Sequence, residues 1–182
     1  LSKKIINKII KPTLNGLQEL KSDYVGFLYA GLMIIDDEPF LIEYNVRMGD
    51  PECQTILPKL QTDFLEIINA CVNKKLDTIE IKWKNEKSIC VVLCSKGYPD
   101  SFNNNLEIKG LDEIILGKNE FIFHAGTKKN NLKVFSNGGR VLNFVVLSEE
   151  FKESRDKAIK LINRLNWSNG FFRKDIGFKV ID

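Results

Sequence analysis

The chain has 182 residues, of which 43% are hydrophobic and 28% are charged. This length suits one full-sized domain or two small ones, and the composition excludes a disordered tail, a collagen-like fibre and a coiled-coil rod. The 27 basic and 24 acidic residues give a net charge of +3, and the pI of about 8.6 is low for a dedicated nucleic-acid-binding domain. No apolar run reaches the ~18 residues of a membrane span, and we expect no signal peptide.

The N-terminal region has the pattern of a helix followed by a β-hairpin. Residues 2–20 carry apolar side chains at helical spacing, and Pro12 predicts a kink or a break between two helices. Tyr24 to Ile35 is a run of β-branched, aromatic and small residues, which predicts a strand, and Phe40 to Val46 predicts a second one. The turn-forming sequence Asp36-Asp37-Glu38-Pro39 between them indicates an antiparallel pair.

Two helix starts follow the hairpin. Asp50 precedes Pro51, which predicts a helix with Asp50 as its N-cap and Pro51 in its first position. Thr62-Asp63 opens a further predicted helix, whose apolar residues recur at the spacing of one helix face. These residues are Phe64, Ile67, Ile68, Cys71 and Val72.

After about residue 78 the sequence becomes strand-rich. Strands are predicted at 89–94, near 121–124 and from Val141 to Leu147, and a single late helix at about 149–165. The sequence Ser136-Asn137-Gly138-Gly139 predicts a turn. We therefore expect an α+β protein with two parts, residues 1–84 and residues 85–182.

The cysteines indicate a reducing compartment. No pair of Cys53, Cys71, Cys90 and Cys94 has the C-x-x-C spacing of a zinc or redox site. Cys90 and Cys94 lie ~13 Å apart along one predicted strand, which is too far for a disulfide. We expect buried or neutral thiols in a cytoplasmic protein.

The segment from Leu41 to Glu52 is the candidate functional site. Side chains alternate between the two faces of a strand, so Glu43, Asn45 and Arg47 are predicted to share one face, with Glu43 and Asn45 ~6.6 Å apart by Cα. The opposite set is predicted to face the core: Phe40, Ile42, Tyr44 and Val46. A carboxylate and an amide oxygen at this spacing suit Mg²⁺, which takes few protein oxygens and completes its shell with phosphates and water.

The same pattern has a simpler interpretation. Polar residues alternating on one side of a strand are common on a solvent-exposed sheet face, and Glu-x-Asn is a short motif. Asp50 beside Pro51 is explained equally well as a plain N-cap. Spacing alone leaves both interpretations open.

Several longer segments carry a resemblance to a known family. The chain resembles the C-terminal half of the phosphoribosylamine–glycine ligase family of the ATP-grasp superfamily, nearly over its whole length and with the segments in the family's order. The segments are Tyr29-Ala30-Gly31-Leu32-Met33, Glu43 to Glu52 followed by Gln54, Gly97-Tyr98-Pro99, Phe123-His124-Ala125-Gly126-Thr127, Asn137-Gly138-Gly139-Arg140-Val141-Leu142 and Arg173-Lys174-Asp175-Ile176-Gly177.

The resemblance implies a fold and a metal site. It implies the C-terminal portion of an ATP-grasp domain, an antiparallel sheet with helices, followed by a small strand-rich domain with one late helix. It also implies that Glu43 and Asn45 bind the Mg²⁺ or Mn²⁺ ions that accompany the phosphates of ATP. The implied reaction joins glycine to 5-phosphoribosylamine through a glycyl phosphate, and it needs no covalent protein nucleophile.

Further substrate-binding residues follow from the same resemblance. Arg47 and Asp50 resemble the family's substrate-facing segment, and Arg140 after the glycine turn suits the 5-phosphate of the ribose. Lys174 and Asp175 are weaker counterparts, since a solvated charged loop explains them almost as well. On its own, the glycine turn before Arg140 is equally typical of a hairpin.

No catalytic residue is predicted. The only histidine, His124, ends a predicted Phe-Ile-Phe strand, and we expect it to be structural. No Ser/His/Asp or Cys/His arrangement stands out.

The resemblance covers only part of the family's length. The chain starts with Leu1 inside a helical pattern and carries no glycine-rich loop over phosphates, so we expect a fragment that is inactive alone and pairs with a missing N-terminal half. The alternative is a non-catalytic binding module, or a split subunit whose N-terminal half is encoded separately. Neither nucleic acid nor a membrane is an expected partner.

Overall fold

The computed structural model describes residues 1–181 and combines helices with antiparallel sheets, which confirms the predicted α+β class. The chain forms two compact units, one from residues 1–50 and 62–82, the other from residues 51–61 together with the chain from Trp83 onward. None of the helices in this described part is long and apolar enough to cross a bilayer.

The first unit begins with a helical segment that passes through Pro12. Helix α1, Ser2–Ile5, continues into a π-helical turn, Ile6–Ile10, and then into α2, Lys11–Glu19. The wider turn is closed by the Lys11 N–H, which donates to the Ile6 carbonyl five residues earlier. A proline ring clashes with the carbonyl four residues back in an ordinary helix, so the irregularity lies in the turn before Pro12 and the helix is not broken there.

The predicted hairpin is present, although its strands are shifted. Strand β1 is Tyr29–Ile35, five residues later than the predicted start, and β2 is Glu38–Asn45, antiparallel to it. Asp36 and Asp37 make the connection with φ angles of 49° and 59°. Two successive left-handed residues are typical of the tight turn that matches strand twist, and aspartate tolerates this conformation.

A β-bulge interrupts the hairpin. Gly31 lies opposite Glu43 and Leu32 lies opposite Leu41, so Ile42 is an extra residue in β2. An extra residue inverts the alternation of side chains on the strand that carries it, because two residues of that strand then face one residue of its partner.

The predicted core face of β2 is therefore wrong. Phe40, Ile42 and Val46 are 53%, 65% and 73% exposed. Only Tyr44 of that set packs against the helical segment, where its hydroxyl lies 2.6 Å from the Thr13 Oγ1. The bulge separates Phe40 and Ile42 from the alternation that Tyr44 follows, whereas Val46 lies beyond the end of β2.

Helices α3 and α4 test the two predicted helix starts. Helix α4, Phe64–Val72, is capped as predicted, since the Asp63 carboxylate accepts from the backbone N–H groups of Leu65 and Glu66. Helix α3, Glu52–Ile56, has Pro51 as its N-cap, so the prediction that Asp50 occupies this position is wrong by one residue. A short 3₁₀ turn follows each helix, Leu57–Lys59 after α3 and Leu76–Thr78 after α4.

The second unit is built on a four-stranded antiparallel sheet. Its strands are β3, Lys87–Ser95; β4, Glu120–His124; β7, Arg140–Ser148; and β8, Gly170–Phe171, in the order β4-β7-β3-β8. Helix α5, Phe151–Ile162, packs on this sheet through Ala158, Leu161 and Ile162. Strand β7 is fully buried from Val141 to Val146, and it carries the core of the unit.

Three elements of the second unit were not predicted. They are a separate hairpin of β5, Thr127–Asn130, and β6, Lys133–Ser136; the short strand β8; and helix α6, Phe178–Ile181. As expected, none of the four cysteines forms a disulfide, and burial raises the pKa of the Cys94 thiol so that it stays neutral.

The ion pairs between the helical segment and the hairpin turn predict a loss of stability in acid. Lys4 and Lys8 both donate to Glu38 and lower its pKa to about 2. A carboxylate with a depressed pKa stabilises the fold above its unfolded pKa, near 4.5, and this contribution is lost as the pH falls from there towards 2. Denaturant unfolding followed by circular dichroism should show Glu38→Gln weakening the protein at pH 7, with the difference from wild type vanishing towards pH 2.

Glu19→Gln is the control, because the structure describes no ion pair for Glu19, which lies on the same helical segment. It should follow the wild-type pH profile. A Glu38→Gln protein with an unchanged profile between pH 5 and 2 would contradict the assignment.

The buried strand β7 predicts the largest effect of a core truncation. Phe144 has no exposed surface, so Phe144→Ala leaves a cavity and should cost about 3–5 kcal/mol of unfolding free energy. Leu132→Ala is the matched control, since Leu132 is 92% exposed and its truncation should change stability by less than about 0.5 kcal/mol. Equal effects of the two substitutions in denaturant titrations would contradict this description of the core.

Candidate functional site

The structure places Glu43 and Asn45 side by side on strand β2. The Asn45 Nδ2 donates to the Glu43 Oε1 at 3.0 Å, so both side chains lie on the same face of the hairpin. Glu43 is exposed and Asn45 is half-buried. The predicted juxtaposition is therefore present, and it does not point into a packed interior.

This pair supplies oxygen donors for a hard cation. The carboxylate offers two oxygens, and an amide can present either its oxygen or its nitrogen after rotating about its terminal torsion. Within residues 1–181 there is no cluster of three or more His, Cys, Asp or Glu side chains that could hold a metal alone. One carboxylate and one amide fit Mg²⁺ or Mn²⁺ if phosphate oxygens and water complete the coordination.

Arg47 and Asp50 follow the pair on the same segment of the first unit. The Arg47 Nη1 donates to the carbonyl of Met48 at 2.8 Å, and the rest of the side chain is exposed. Asp50 is exposed as well, whereas Gly49 between them is buried. Both charged side chains are thus exposed on the segment that follows the Glu43–Asn45 pair.

The other predicted residues lie in the second unit. Arg140 is the first residue of β7, directly after Gly138 and Gly139. The Gly139 carbonyl accepts from the Ser95 N–H at 2.7 Å, and the Gly138 carbonyl accepts from the Ser95 Oγ at 2.8 Å. The Gly126 N–H donates to the Arg140 carbonyl at 2.8 Å. Hydrogen bonds from Ser95 and from Gly126 therefore hold the backbone of residues 138–140 in place.

Close packing explains the glycines in this loop. A Cβ on Gly139 would lie 2.1 Å from the Tyr98 ring, and a Cβ on Gly126 would lie 2.6 Å from the Arg140 carbonyl oxygen. The hydrogen bonds that the structure describes use the carbonyls of Gly138 and Gly139 and none of them uses their N–H groups. Two adjacent backbone N–H groups beside an arginine are the elements of an anion-binding concavity.

The predicted alternative, a hairpin turn at these glycines, is not what the fold contains. Strand β6 pairs with β5, and β7 pairs with β3 and β4, so the loop 137–139 connects two different sheets. Its glycines serve close backbone and ring contacts rather than hairpin geometry.

Asp175 already has a strong partner. Arg173 donates to it through Nε at 3.0 Å and through Nη2 at 2.6 Å, and this guanidinium lowers the pKa of the Asp175 carboxyl. Lys174 is exposed. The arrangement fits the interpretation of a charged surface loop at least as well as a substrate contact.

His124 is held at the end of β4. Its Nδ1 lies 2.8 Å from the Thr127 Oγ1, and the ring is exposed. It lines an open cleft of about 510 Å³ together with lysines 128, 129 and 133 and with Glu107. The lysines are partly offset by nearby carboxylates, including Glu107, which pairs with Lys133 at 3.1 Å.

Sequence reasoning missed the residues that support these side chains. Gly31 lies opposite Glu43 and Tyr98 lies against Gly139, and the sequence predicts a site role for neither residue. A glycine inside a strand is a signal of close approach by another group, and it was available in the sequence at Gly31. Nothing in the sequence indicates the contact between Tyr98 and Gly139.

Comparison with known proteins gives matches along most of the chain. Residues 88–179 match the family described as phosphoribosylglycinamide synthetase, C domain, and residues 1–53 match phosphoribosylglycinamide synthetase, ATP-grasp (A) domain. Phosphoribosylamine–glycine ligases from Caldanaerobacter subterraneus and Fusobacterium nucleatum are 42% and 39% identical to it, over 97% of this chain and 42% of each relative. The chain thus spans less than half the length of these curated relatives.

Two further similarities involve a longer protein and a solved structure. A bifunctional purine biosynthetic protein purD from Dictyostelium discoideum is 40% identical over 97% of this chain and 23% of that protein. The crystal structure of a phosphoribosylamine–glycine ligase from Thermotoga maritima superposes with a TM-score of 0.73 at 33% identity, over 95% of this chain and 42% of that one.

The contact of Gly139 with Tyr98 predicts a specific sensitivity. Gly139→Ala forces the ring or the loop to move, and overpacking of this kind should cost about 1–3 kcal/mol of unfolding free energy. Gly117→Ala is the control, because a Cβ there meets only the carboxylate end of Glu120 at 3.4 Å. Thermal unfolding of both variants measures the loss of stability, and the aromatic NMR signals of Tyr98 show whether the ring has moved. Equal stability of the two variants would show that the ring does not require a glycine.

Proposed function

Because the chain belongs to the phosphoribosylglycinamide synthetase family, we propose that it forms the C-terminal part of an ATP-dependent enzyme that joins glycine to 5-phosphoribosylamine. The observation that carries this proposal beyond family membership is the pair of Glu43 and Asn45 on one face of the hairpin. A carboxylate and an amide placed together suit a cation that accompanies phosphates.

The proposed reaction has two steps. The carboxylate of glycine attacks the γ-phosphorus of ATP, which forms glycyl phosphate and releases ADP. The amine of 5-phosphoribosylamine then attacks the glycyl carbonyl carbon, the C–O bond to phosphate breaks, and the amine loses a proton, giving glycinamide ribonucleotide and phosphate. Both steps are transfers between substrates, so the protein contributes position and electrostatic complementarity.

Each candidate residue has a proposed task. Glu43 and Asn45 hold Mg²⁺ or Mn²⁺, which, when bound, neutralises the charge of the phosphates. Arg47 and Asp50 bind substrate, since both are exposed directly after the metal pair. Arg140 binds the ribose 5-phosphate, and the N–H groups of the glycines before it support this role. Lys174 and Asp175 belong to the proposal as outer substrate contacts, although Arg173 occupies the Asp175 carboxylate.

The proposed partner is the remainder of the enzyme. The chain spans 42% of the length of the curated ligases, so we propose that the other part of the protein completes the ATP site and that residues 1–182 are inactive without it. We propose a functional division between 1–84 and 85–182. A cytoplasmic location belongs to the same proposal, and four cysteines that form no disulfide support it.

A chimera tests the proposed activity. In the Caldanaerobacter relative, the region that matches this chain is replaced by residues 1–182, and product formation is assayed with ATP, glycine, 5-phosphoribosylamine and Mg²⁺. The chimera should be active, and Glu43→Gln should lower kcat about a hundredfold or more, because one anionic oxygen donor for the cation is lost.

Glu66→Gln is the matched control, since Glu66 is an exposed carboxylate on α4, outside the proposed site. It should retain the activity of the parent chimera. A folded chimera without activity would contradict the ligase proposal. An active chimera in which Glu43→Gln changes nothing at any Mg²⁺ concentration would contradict the metal assignment alone.

A further inference from the structure

Gly31 occupies an unexpected place for a glycine. It lies inside strand β1, directly opposite Glu43. Glycine weakens a strand interior relative to alanine, because it loses more conformational freedom on folding. The backbone does not require it, since Gly31 is not among the residues with positive φ. The reason for a glycine must therefore lie in the space beside it.

That space is filled by the Glu43 side chain. A Cβ on Gly31 would lie 3.0 Å from the Glu43 Cγ and 3.7 Å from its Oε1, and the first of these distances is closer than van der Waals contact. The Glu43 side chain thus crosses its neighbouring strand directly over Gly31. The same Oε1 accepts from the Asn45 Nδ2 at 3.0 Å.

We propose that Gly31 is a positioning residue for the metal pair, an inference that rests on the proposed function. The absent side chain lets Glu43 lie flat against β1 with its carboxylate beside Asn45. Any larger residue at position 31 would push the Glu43 Cγ away by a few tenths of an ångström or more and shift the carboxylate relative to the amide. The two oxygen donors would then be less well placed to meet at one cation.

Gly16 provides a matched comparison within the same unit. It lies in α2, also without a positive φ, and nothing stands within 4 Å of a Cβ built on it. Gly16→Ala therefore carries the general effect of a glycine-to-alanine change on chain flexibility. Only Gly31→Ala adds a contact with Glu43.

The first measurement needs no metal. In NMR spectra of the 182-residue chain, the side-chain amide signal of Asn45 reports its hydrogen bond to Glu43. Gly31→Ala should move this signal towards its position in Glu43→Ala, which lacks the acceptor, while Gly16→Ala should leave it unchanged. An Asn45 signal that is the same in wild type and Gly31→Ala overturns the inference.

The second measurement uses Mn²⁺ together with ATP as the probe, because phosphate oxygens are needed to complete the coordination that Glu43 and Asn45 begin. Substoichiometric Mn²⁺ should broaden the signals of Glu43 and Asn45 first, and Gly31→Ala should require about tenfold more Mn²⁺ for the same broadening, in the range found when supporting contacts of metal ligands are lost. If Mn²⁺ broadens the wild-type signals and Gly31→Ala needs no more Mn²⁺ for the same broadening, the positioning role is overturned. If the Asn45 signal of the wild-type protein is not broadened, the metal role in the proposed function is overturned. The Asn45 amide signal measured without metal still decides whether Gly31 orients Glu43.

A double variant covers the case in which Gly31→Ala does not fold. Glu43→Ala removes the Cγ, and the remaining Glu43 carbonyl oxygen lies 3.6 Å from the added Cβ, an ordinary contact distance. If Gly31→Ala combined with Glu43→Ala folds, the conflict is with the Glu43 side chain, and the inference is supported. If the double variant is also unfolded, position 31 needs glycine for another reason, and the inference is overturned.

Discussion

The extra residue at Ile42 determines which side chains of β2 share a face of the hairpin in the first unit. Without it, strict alternation would place Phe40, Ile42 and Tyr44 on one face, and the polar residues on the other. With it, Tyr44 turns to the helical segment and hydrogen-bonds with Thr13, while Glu43 and Asn45 remain together on the opposite face. The regular alternation after the bulge places Tyr44 on one face and Glu43 with Asn45 on the other, while the bulge separates Phe40 from the face of Tyr44.

The second unit reaches a similar result by different means. Its core is strand β7, and the residues that precede this strand are tied down by Ser95 and by contact with Tyr98. The backbone of Arg140 is therefore held in place where a tightly packed loop meets a buried strand. A side chain that starts from a rigid backbone loses less conformational entropy when it binds an anion than one on a mobile loop.

Much of this fold was predictable because the residues involved have local signals. The Asp63 cap, the buried strand around Val91 and the helix that contains Leu161 each follow from spacing within a few residues. Glu43 and Asn45 share a face as predicted because both lie after the extra residue, where the alternation is regular again. The metal role of this pair stays a prediction.

The features that sequence reasoning missed depend on contacts between distant residues. The strands β5 and β6 are rich in lysine and lack apolar alternation, so pairing with each other is what makes them strands. The local mark of the bulge is Gly31 alone, and it does not reveal which residue of β2 is the extra one. The Tyr98 ring meets Gly139 only because two loops of the folded unit converge.

The exposed hairpin face has a consequence for how the two units respond to their surroundings. Phe40, Ile42 and Val46 are exposed, so burial of apolar surface on this face contributes little within the first unit, whose hairpin also carries charged contacts such as that of Lys4 with Glu38. Such contacts weaken as counterions accumulate. The second unit depends on desolvated aliphatic and aromatic groups, whose contribution varies with temperature through the heat capacity of hydration. Ionic strength and heat therefore act on different parts of the same polypeptide.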